Sequence, residues 1–213
     1  MLIIFDWDGT LCDSTGRIVE AMQLAAREEG IAVPEIAAVE NIIGLGLPEA
    51  MLALFPALGS AVRDRVREHY SRCYVELDQE PAQLFPGAID TLEQLRARGH
   101  LLAVATGKSR RGLDRVTRGL ALEGFFDGSR CADETRSKPH PLMVHELLQE
   151  LDAPASDTLV VGDSEYDLAM ATAARVRAVG VSYGVHSVER LSGHGPLAIV
   201  DELQHLLALD VIS

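Results

Sequence analysis

Two carboxylates separated by one residue stand near the start of the chain. Asp6 and Asp8 follow the apolar run Leu2 to Phe5, and Gly9 comes directly after them. Residues two apart in an extended chain point to the same side, so both carboxylates can reach one site before Gly9 turns the backbone. Crowded carboxylates repel each other unless a cation or a shared proton compensates. A hard ion such as Mg²⁺ suits this pair, although a simple turn at Asp8-Gly9, with Asp6 as a helix cap, would explain the same residues.

A second pair of acidic residues follows the apolar run from Thr158 to Val161. Asp163 stands where that run ends, and Asp167 lies four residues further on. If a helix begins near Ser164, residues four apart face the same side, and both carboxylates can point toward one ligand. Capping of that helix by Asp163 or Ser164, with Asp167 in its positive first turn, is the alternative. Both roles can hold for Asp167.

Two further clusters contain the residue types that bind phosphate. Thr106-Gly107 follows the apolar run Leu101 to Ala105, where a hydroxyl and exposed backbone N–H groups precede a helix. Ser109 could instead be an ordinary cap of that helix. Lys138 precedes a proline that holds the chain extended, and its ammonium could neutralise a phosphate and a neighbouring carboxylate. A solvated surface lysine is the alternative there.

The apolar runs that precede these clusters are short enough to be buried strands. Weaker strand candidates lie at 176–181 and 197–200, and helix-period stretches lie between the strands at 89–98, 110–120, 141–151 and 167–174. Strands that alternate with helices predict an α/β fold, a Rossmann-like parallel sheet with helices on both faces. Because ligands bind beyond the carboxyl ends of the strands in such sheets, we expect the polar clusters to meet in one crevice.

One stretch interrupts this alternation. Residues 14–84 show helical patterns only, at 16–29, 34–43, 48–55 and 61–77. We predict a small all-helical cap domain over residues 14–84, inserted after the first strand, with residues 1–13 and 85–213 forming the catalytic core. A length of 213 residues suits a core with one smaller insertion.

Composition limits the classes of partner. Acidic residues outnumber basic ones by 32 to 19, which gives a formal net charge of −13. Such a surface repels nucleic acid and anionic membranes, and no apolar run reaches the ~18 residues of a spanning helix. The N-terminus has no basic leader, and the cysteines at 12, 73 and 131 have no paired spacing. Free thiols in a reducing, cytoplasmic compartment are therefore expected.

Four motifs in this order resemble those of the haloacid dehalogenase-like hydrolase superfamily. The segment Asp6-Trp7-Asp8-Gly9-Thr10-Leu11 is similar to its DxDGT[LV] signature. Thr106, Lys138 and the segment from Gly162 to Asp167 resemble its second, third and fourth motifs. The likeness covers nearly the whole chain. It is closest to the phosphatase branch with a helical cap, and within it to phosphoglycolate phosphatase-like members.

The resemblance implies a phosphatase that works through an aspartyl-phosphate. Asp6 would be the nucleophile, and Asp8 the general acid and then the general base. Mg²⁺ would be held by Asp6, the backbone carbonyl of Asp8 and Asp163, with Asp167 binding directly or through water. The groups expected to bind the phosphoryl oxygens are Thr106, the Gly107 amide and Lys138. The substrate would be a small phosphorylated metabolite, with 2-phosphoglycolate as a first guess.

Substrate choice is expected to depend on the cap, whose closure would exclude water and position the leaving group. The candidate contacts are a cap loop and two basic side chains, namely Gly44, Leu45, Gly46, Arg17 and Lys108. For Arg17 and Lys108, a solvated position on a helix surface is the alternative. The oligomeric state is left open by the sequence.

Other functions fit parts of this pattern. A sugar phosphomutase uses the same intermediate, but the mutases of the resembling family carry Ser-Arg after the cap glycine, where this chain has Leu45-Gly46. A dehalogenase would need neither Asp8 nor Asp163. A receiver-type signalling domain is shorter, and its phospho-accepting aspartate follows a middle strand. A binding protein on an inactive scaffold would be expected to lack a reactive group, whereas all of them are present here.

Overall fold

A parallel sheet of six strands forms the centre of residues 1–77 and 83–212, the part of the chain that this computed structural model describes. The strands are β1 (Leu2–Phe5), β2 (Leu101–Thr106), β3 (Gly128–Cys131), β4 (Thr158–Gly162), β5 (Arg177–Val181) and β6 (Ala198–Val200). Their order is β3-β2-β1-β4-β5-β6, so β1 lies in the middle with β2 and β4 beside it. The carboxyl ends of these three strands therefore meet at one edge of the sheet.

Helices connect the strands and fill the insertion. In chain order they are α1 (Thr15–Glu29), α2 (Ile36–Glu40), α3 (Leu47–Leu54), α4 (Ser60–Glu76), α5 (Ala88–Ala97), α6 (Arg110–Gly119), α7 (Leu142–Glu150), α8 (Glu165–Ala173) and α9 (Val188–Ser192). Short 3-10 helices lie at Ala155–Asp157, Leu203–Ala208 and Asp210–Ile212.

The central strand shows why these runs are apolar throughout. Successive side chains of a strand point to opposite faces of the sheet, and both faces are covered here. Ile3 and Phe5 lie in one hydrophobic core, together with residues of α5 and α6. Leu2 and Ile4 lie in a second core, together with residues of α7 and α8. All four side chains of β1 are fully buried, so the strand is an unbroken apolar run.

Helices α1 to α4 have a hydrophobic core of their own, which includes Met22, Val39, Met51 and Val66. We call residues 15–77 the cap segment. The chain enters and leaves this region side by side, because the backbone N–H of Asp13 donates a hydrogen bond to the carbonyl oxygen of Gln83 at 2.8 Å. The division into domains at residues 14 and 84 stays a prediction.

The α/β class, the parallel sheet and the positions of its central strands are confirmed. The sequence analysis missed β3 because it reads Gly-Ser-Arg-Cys, and an edge strand with one sheet neighbour needs no apolar run. It also missed the one-turn helix α9. Within residues 1–77 and 83–212, no helix has the length and apolar character needed to cross a membrane. The three cysteines are buried and form no disulfide with one another in this described part of the chain.

Truncating Leu147 tests the packing of α7 on the sheet. Its side chain is fully buried in the second core, so Leu147→Ala should leave a cavity and lower the free energy of unfolding by about 2–5 kcal/mol. Urea unfolding followed by circular dichroism measures this change. The matched control is Leu197→Ala at a residue with 53% exposure, which should cost less than ~0.5 kcal/mol. Equal losses in both variants would contradict the assigned packing.

Candidate active site

A buried lysine joins two of the predicted acidic residues. The Nζ of Lys138 lies 2.5 Å from Oδ1 of Asp6 and 2.6 Å from Oδ1 of Asp167, and all three side chains are buried. Burial alone would lower the pKa of Lys138, but the two carboxylates raise it above the usual value for a lysine. The ammonium is therefore charged and compensates for part of the negative charge around it.

Asp6 directly follows β1, and its backbone N–H donates to the carbonyl oxygen of Val161 at 2.9 Å, which fixes it beside β4. Burial raises the pKa of Asp6 well above its usual value, Lys138 opposes that rise, and repulsion from Asp167 and Asp163 adds to it. No group in the described part of the chain donates a hydrogen bond to Oδ2 of Asp6, although this oxygen is buried. Such an atom is costly unless something outside the chain compensates it.

Asp163 follows β4 and is held by two donors. The hydroxyl of Thr10 donates to its Oδ1 at 2.8 Å, and the backbone N–H of Val185 donates to its Oδ2 at 2.9 Å. Burial, followed by repulsion from Asp167, raises the pKa of Asp163 to about 7, although the two donors and Lys138 oppose the rise. These two bonds fix the orientation of the carboxyl group.

Asp167 lies in the first turn of α8, as expected. The backbone N–H and the hydroxyl of Ser164 donate to its Oδ2 at 3.1 and 2.6 Å, so it caps the start of α8. Its other oxygen faces Lys138. Helix capping therefore fixes the orientation in which Asp167 reaches the acidic cluster.

Three glycines allow these acidic side chains to pack so closely. A Cβ at Gly9 would lie 2.2 Å from Oδ2 of Asp163, and one at Gly184 would lie 2.1 Å from its Cβ. A Cβ at Gly162 would lie 2.3 Å from the Cβ of Asp167. Gly9 also has a φ of +88°, a conformation that other residues rarely adopt.

Asp6, Asp163 and Asp167 form a cluster that can hold a metal ion. One carboxylate oxygen from each lies within 4.8 Å of the others, and all three residues are buried. With all three carboxylates ionised, as they would be around a cation, the ammonium of Lys138 leaves two net negative charges in this buried cluster. The oxygen of Asp6 without a donor and this excess charge both fit a divalent cation with oxygen ligands.

The side chain of Asp8 is not part of this cluster and has partners of its own. Its Oδ1 accepts a hydrogen bond from the hydroxyl of Ser14 at 2.5 Å and lies 2.8 Å from Nζ of Lys108. The same ammonium donates to the hydroxyl of Tyr74 in α4 at 3.3 Å. Lys108 is therefore a largely buried link between Asp8 and the cap segment. The alternative of a solvated surface lysine is wrong.

Thr106 and Gly107 lie where β2 meets the cap segment. The Thr106 hydroxyl is buried and accepts a hydrogen bond from the backbone N–H of Lys108 at 3.2 Å. A Cβ at Gly107 would lie 2.4 Å from the carbonyl oxygen of Leu45 and 2.9 Å from that of Gly44. The loop 44–46 thus lies directly against the predicted phosphate-binding turn, and only a glycine at 107 permits this contact.

Further hydrogen bonds hold the cap segment against the core. The backbone N–H of Gly46 donates to the hydroxyl of Ser137 at 2.7 Å. The hydroxyl of Tyr166 in α8 donates to the carbonyl oxygen of Asn41 at 2.8 Å, and Arg190 donates to the side-chain carbonyl of Asn41. The cap segment is therefore closed over the carboxyl edge of the sheet.

Closure leaves a cavity of about 690 Å³ between the cap segment and the core. Asp8, Gly107 and Lys108 line its inner part from the core, and the loop 44–45 and α4 line it from the cap segment. The opening lies between α4 and α6, where Arg72 and Arg111 are exposed. A molecule in this cavity would reach Asp8 without passing through the buried carboxylate cluster.

Comparison with known proteins identifies the family. The model of haloacid dehalogenase-like hydrolases matches residues 1–175. The chain belongs to this family. A relative from Dickeya dadantii named "Probable phosphatase IndB" is 36% identical, over 97% of this chain and 91% of its own length. A phosphoglycolate phosphatase from Rhodospirillum rubrum is 32% identical, over 96% of this chain and 88% of its own length.

A solved structure agrees with this assignment. A haloacid dehalogenase-like family hydrolase from Streptococcus pneumoniae superposes with a TM-score of 0.84 at 25% identity, over 97% of this chain and 96% of its own. The predicted family and the class of enzyme, a phosphatase of the haloacid dehalogenase-like hydrolases, are both confirmed.

The structure brings most of the predicted residues together. The side chains of Asp6, Lys138, Asp163 and Asp167 form one cluster, whereas the carboxylate of Asp8 lies apart from the three clustered acids. Gly44, Leu45, Gly107 and Lys108 line the cavity beside Asp8. Arg17 is partly exposed on α1 and lies outside the set of residues that line this cavity. The specific roles of these residues stay predictions.

Several site residues were not singled out from the sequence. Ser14 and Tyr74 contact Asp8 and Lys108, and Val185 holds Asp163. Thr10 lies within the first motif, so its hydroxyl could have been found there. Ser14 lies six residues after Asp8, within a segment that also resembles the family. Tyr74 and Val185 reach the site only through tertiary contacts, and their residue types carry no signal of their own.

Replacing Gly184 tests whether the cluster binds a divalent cation. A cation that binds only the folded protein raises its stability, by ~2.7 kcal/mol at a hundred times the dissociation constant. Added MgCl₂ should therefore raise the thermal midpoint of the wild type. It should raise that of Gly184→Ala by less than half as much, because the new Cβ displaces Asp163. Gly59→Ala is the control, since its Cβ would meet nothing within 4 Å. Equal shifts in all three proteins would contradict a site at this cluster.

The raised pKa of Asp163 predicts a dependence of stability on pH when metal is absent. The folded protein holds this proton up to about pH 7, whereas the unfolded chain loses it near pH 4. The folded state therefore binds more protons between these values, and the contribution of Asp163 to stability falls as pH rises through that window. With EDTA, the stability of the wild type relative to Asp163→Asn should decrease from about pH 5 to about pH 8. Urea unfolding of both proteins measures this difference in the free energy of unfolding. A difference that does not change with pH would contradict the raised pKa of Asp163.

Proposed function

We propose that this chain is a Mg²⁺-dependent phosphatase that hydrolyses a small phosphorylated metabolite through an aspartyl-phosphate on Asp6. One observation carries the proposal. Asp6 is buried at the end of the central strand, Lys138 holds one of its carboxylate oxygens, and its other oxygen has no donor within the described residues. A carboxylate oriented in this way can act as a nucleophile.

Asp6, Asp163 and Asp167 are the side chains that would hold Mg²⁺, together with the backbone carbonyl of Asp8. When bound, the ion would screen the repulsion between Asp6 and an anionic phosphate and stabilise the charge that develops during transfer. Asp167 already accepts a hydrogen bond from Ser164 and lies close to Lys138. These contacts favour binding of the ion by Asp167 through a water molecule.

In the first step, an Asp6 oxygen attacks phosphorus, and the bond from phosphorus to the leaving oxygen breaks. Asp8 gives its proton to that leaving oxygen, so the alcohol departs uncharged. The position of Asp8 supports this role, because its side chain lines the cavity and is not part of the carboxylate cluster. Ser14 and Lys108 hold the carboxylate in place.

In the second step, Asp8 takes a proton from a water molecule, whose oxygen attacks the phosphorus of the acyl phosphate. The bond from phosphorus to Asp6 breaks, which releases phosphate and restores the Asp6 carboxylate. Thr106, the Gly107 amide and Lys138 would bind the phosphoryl oxygens in both steps. Lys138 also keeps Asp6 oriented between the steps.

The names of the relatives guide the choice of substrate. Several relatives of 27–32% identity are named phosphoglycolate phosphatase, so 2-phosphoglycolate is the first metabolite to test. The cap segment, with the loop 44–46 against Gly107, supports closure over a small molecule. A cytoplasmic location fits such a substrate and the buried free cysteines. A sugar phosphomutase is less well supported, because Leu45-Gly46 stands where the mutases have Ser-Arg.

The nucleophile can be tested by releasing phosphate from p-nitrophenyl phosphate with Mg²⁺. Asp6→Asn should lower kcat by at least ~10³-fold, because the amide cannot form the acyl phosphate. Excess EDTA should abolish turnover by the wild type. Asp13→Asn, at an exposed carboxylate of the same segment, is the matched control and should keep the wild-type rate.

Full activity in Asp6→Asn would overturn the mechanism, whatever the fold. Activity that survives EDTA would overturn the metal dependence alone. Circular dichroism of Asp6→Asn checks that its fold is intact. The variant should be at least as stable as the wild type in EDTA, since it removes one of the crowded charges.

A further inference from the structure

The cavity beside Asp8 is larger than a leaving group such as glycolate requires. Its volume of about 690 Å³ lies in the range of pockets that bury drug-sized ligands, about 300–1,000 Å³. Asp8, the residue proposed to protonate the leaving oxygen, lines it, and so do the exposed residues Arg72 of α4 and Arg111 of α6. The part of a substrate that leaves with this oxygen would therefore occupy the cavity.

The walls of this cavity are mainly apolar. From α1, Ile18 and Met22 line it, and from the loop before α3, Ile42, Ile43 and Leu45 do so. These side chains belong to the hydrophobic core of the cap segment or pack against it, so a polar leaving group would lose its hydration without gaining hydrogen bonds there. An apolar group would gain free energy from leaving water.

Two aromatic rings and two cations shape the part of the cavity next to Asp8. The rings of Tyr70 and Tyr74 lie 5.9 Å apart, centre to centre, at an angle of 41°. Lys108 Nζ and the guanidinium of Arg115 lie 5.0 and 5.5 Å from the centre of the Tyr74 ring. All four residues line the cavity. Aromatic and cationic groups in this arrangement favour a planar ring, which they can contact by stacking and by cation–π attraction.

We propose that this cavity selects phosphate monoesters whose leaving alcohol carries a planar, largely apolar ring. The proposal rests on the phosphatase function proposed above, and it adds a substrate class to it. The ring would lie among Tyr70, Tyr74 and the aliphatic side chains, while the ester oxygen faces Asp8. Short esters enter the same site but leave most of the cavity to water.

The test compares a phosphate ester that carries a ring with one that has none. Benzyl phosphate and ethyl phosphate both release a primary alcohol, and phosphate release with Mg²⁺ gives kcat/KM for each. The expected kcat/KM for benzyl phosphate is at least about tenfold higher, because a pocket that buries added apolar groups discriminates by about this factor or more. 2-Phosphoglycolate is measured alongside as the reference for the proposed function.

A variant that narrows the cavity shows where the preference arises. Val75 lines the cavity from α4 and is 55% exposed, so Val75→Trp can fill part of the opening without disturbing the hydrophobic core. It should lower kcat/KM for benzyl phosphate by about tenfold and leave that for ethyl phosphate within about twofold. Leu52→Trp is the control, at a residue of the cap segment with 53% exposure that does not line the cavity, and it should change neither value.

The outcomes separate this proposal from the phosphatase function. Turnover of 2-phosphoglycolate and ethyl phosphate without a preference for benzyl phosphate would overturn the proposal and leave the phosphatase function standing. A preference that persists in Val75→Trp would place the ring elsewhere and also overturn it. Absence of turnover with every ester would overturn both. A preference that is lost in Val75→Trp and kept in Leu52→Trp would support it.

Discussion

One buried ammonium makes the rest of the site possible. The parallel sheet places the ends of β1 and β4 side by side, and this brings the carboxylates of Asp6 and Asp163 together with that of Asp167. Three such groups without solvent would oppose folding, because their mutual repulsion and their loss of hydration both favour the unfolded chain. Lys138 compensates one of these charges from within the cluster. The negative charge that remains when all three acids are ionised fits the binding of a cation at this cluster.

The close packing of the acidic side chains explains why glycine residues surround the site. Glycines at 9, 162 and 184 let the chain pass within contact distance of Asp163 and Asp167. Gly107 does the same for the loop of the cap segment. The core thus fixes the acidic groups from one side, while the cap segment closes the other. Lys108 connects the two through Asp8 and Tyr74, so one side chain holds both the Asp8 carboxylate and the cavity wall.

The sequence predicted the position of a site residue correctly where that residue directly follows a strand. Asp6, Thr106 and Asp163 each follow an apolar run, and the parallel sheet required them to converge. Local patterns could not show contacts between separate segments, such as the bond from Val185 to Asp163 or from Lys108 to Tyr74. They left Lys108 open between a contact in the site and a solvated position, because burial of a lysine depends on partners that no local pattern reveals. The polar edge strand β3 lacked the apolar signal on which strand prediction depends.

The two connections of the cap segment run side by side, one hydrogen bond apart at Asp13 and Gln83. An insertion whose ends meet in this way can change its length, its sequence or even its fold while the sheet beneath it stays as it is. The reactive carboxylates belong to the sheet, and most of the apolar cavity wall belongs to the insertion. Under the proposed mechanism, a change in the insertion would alter what the enzyme recognises without altering how it reacts. Relatives with the same acidic residues need not share a substrate.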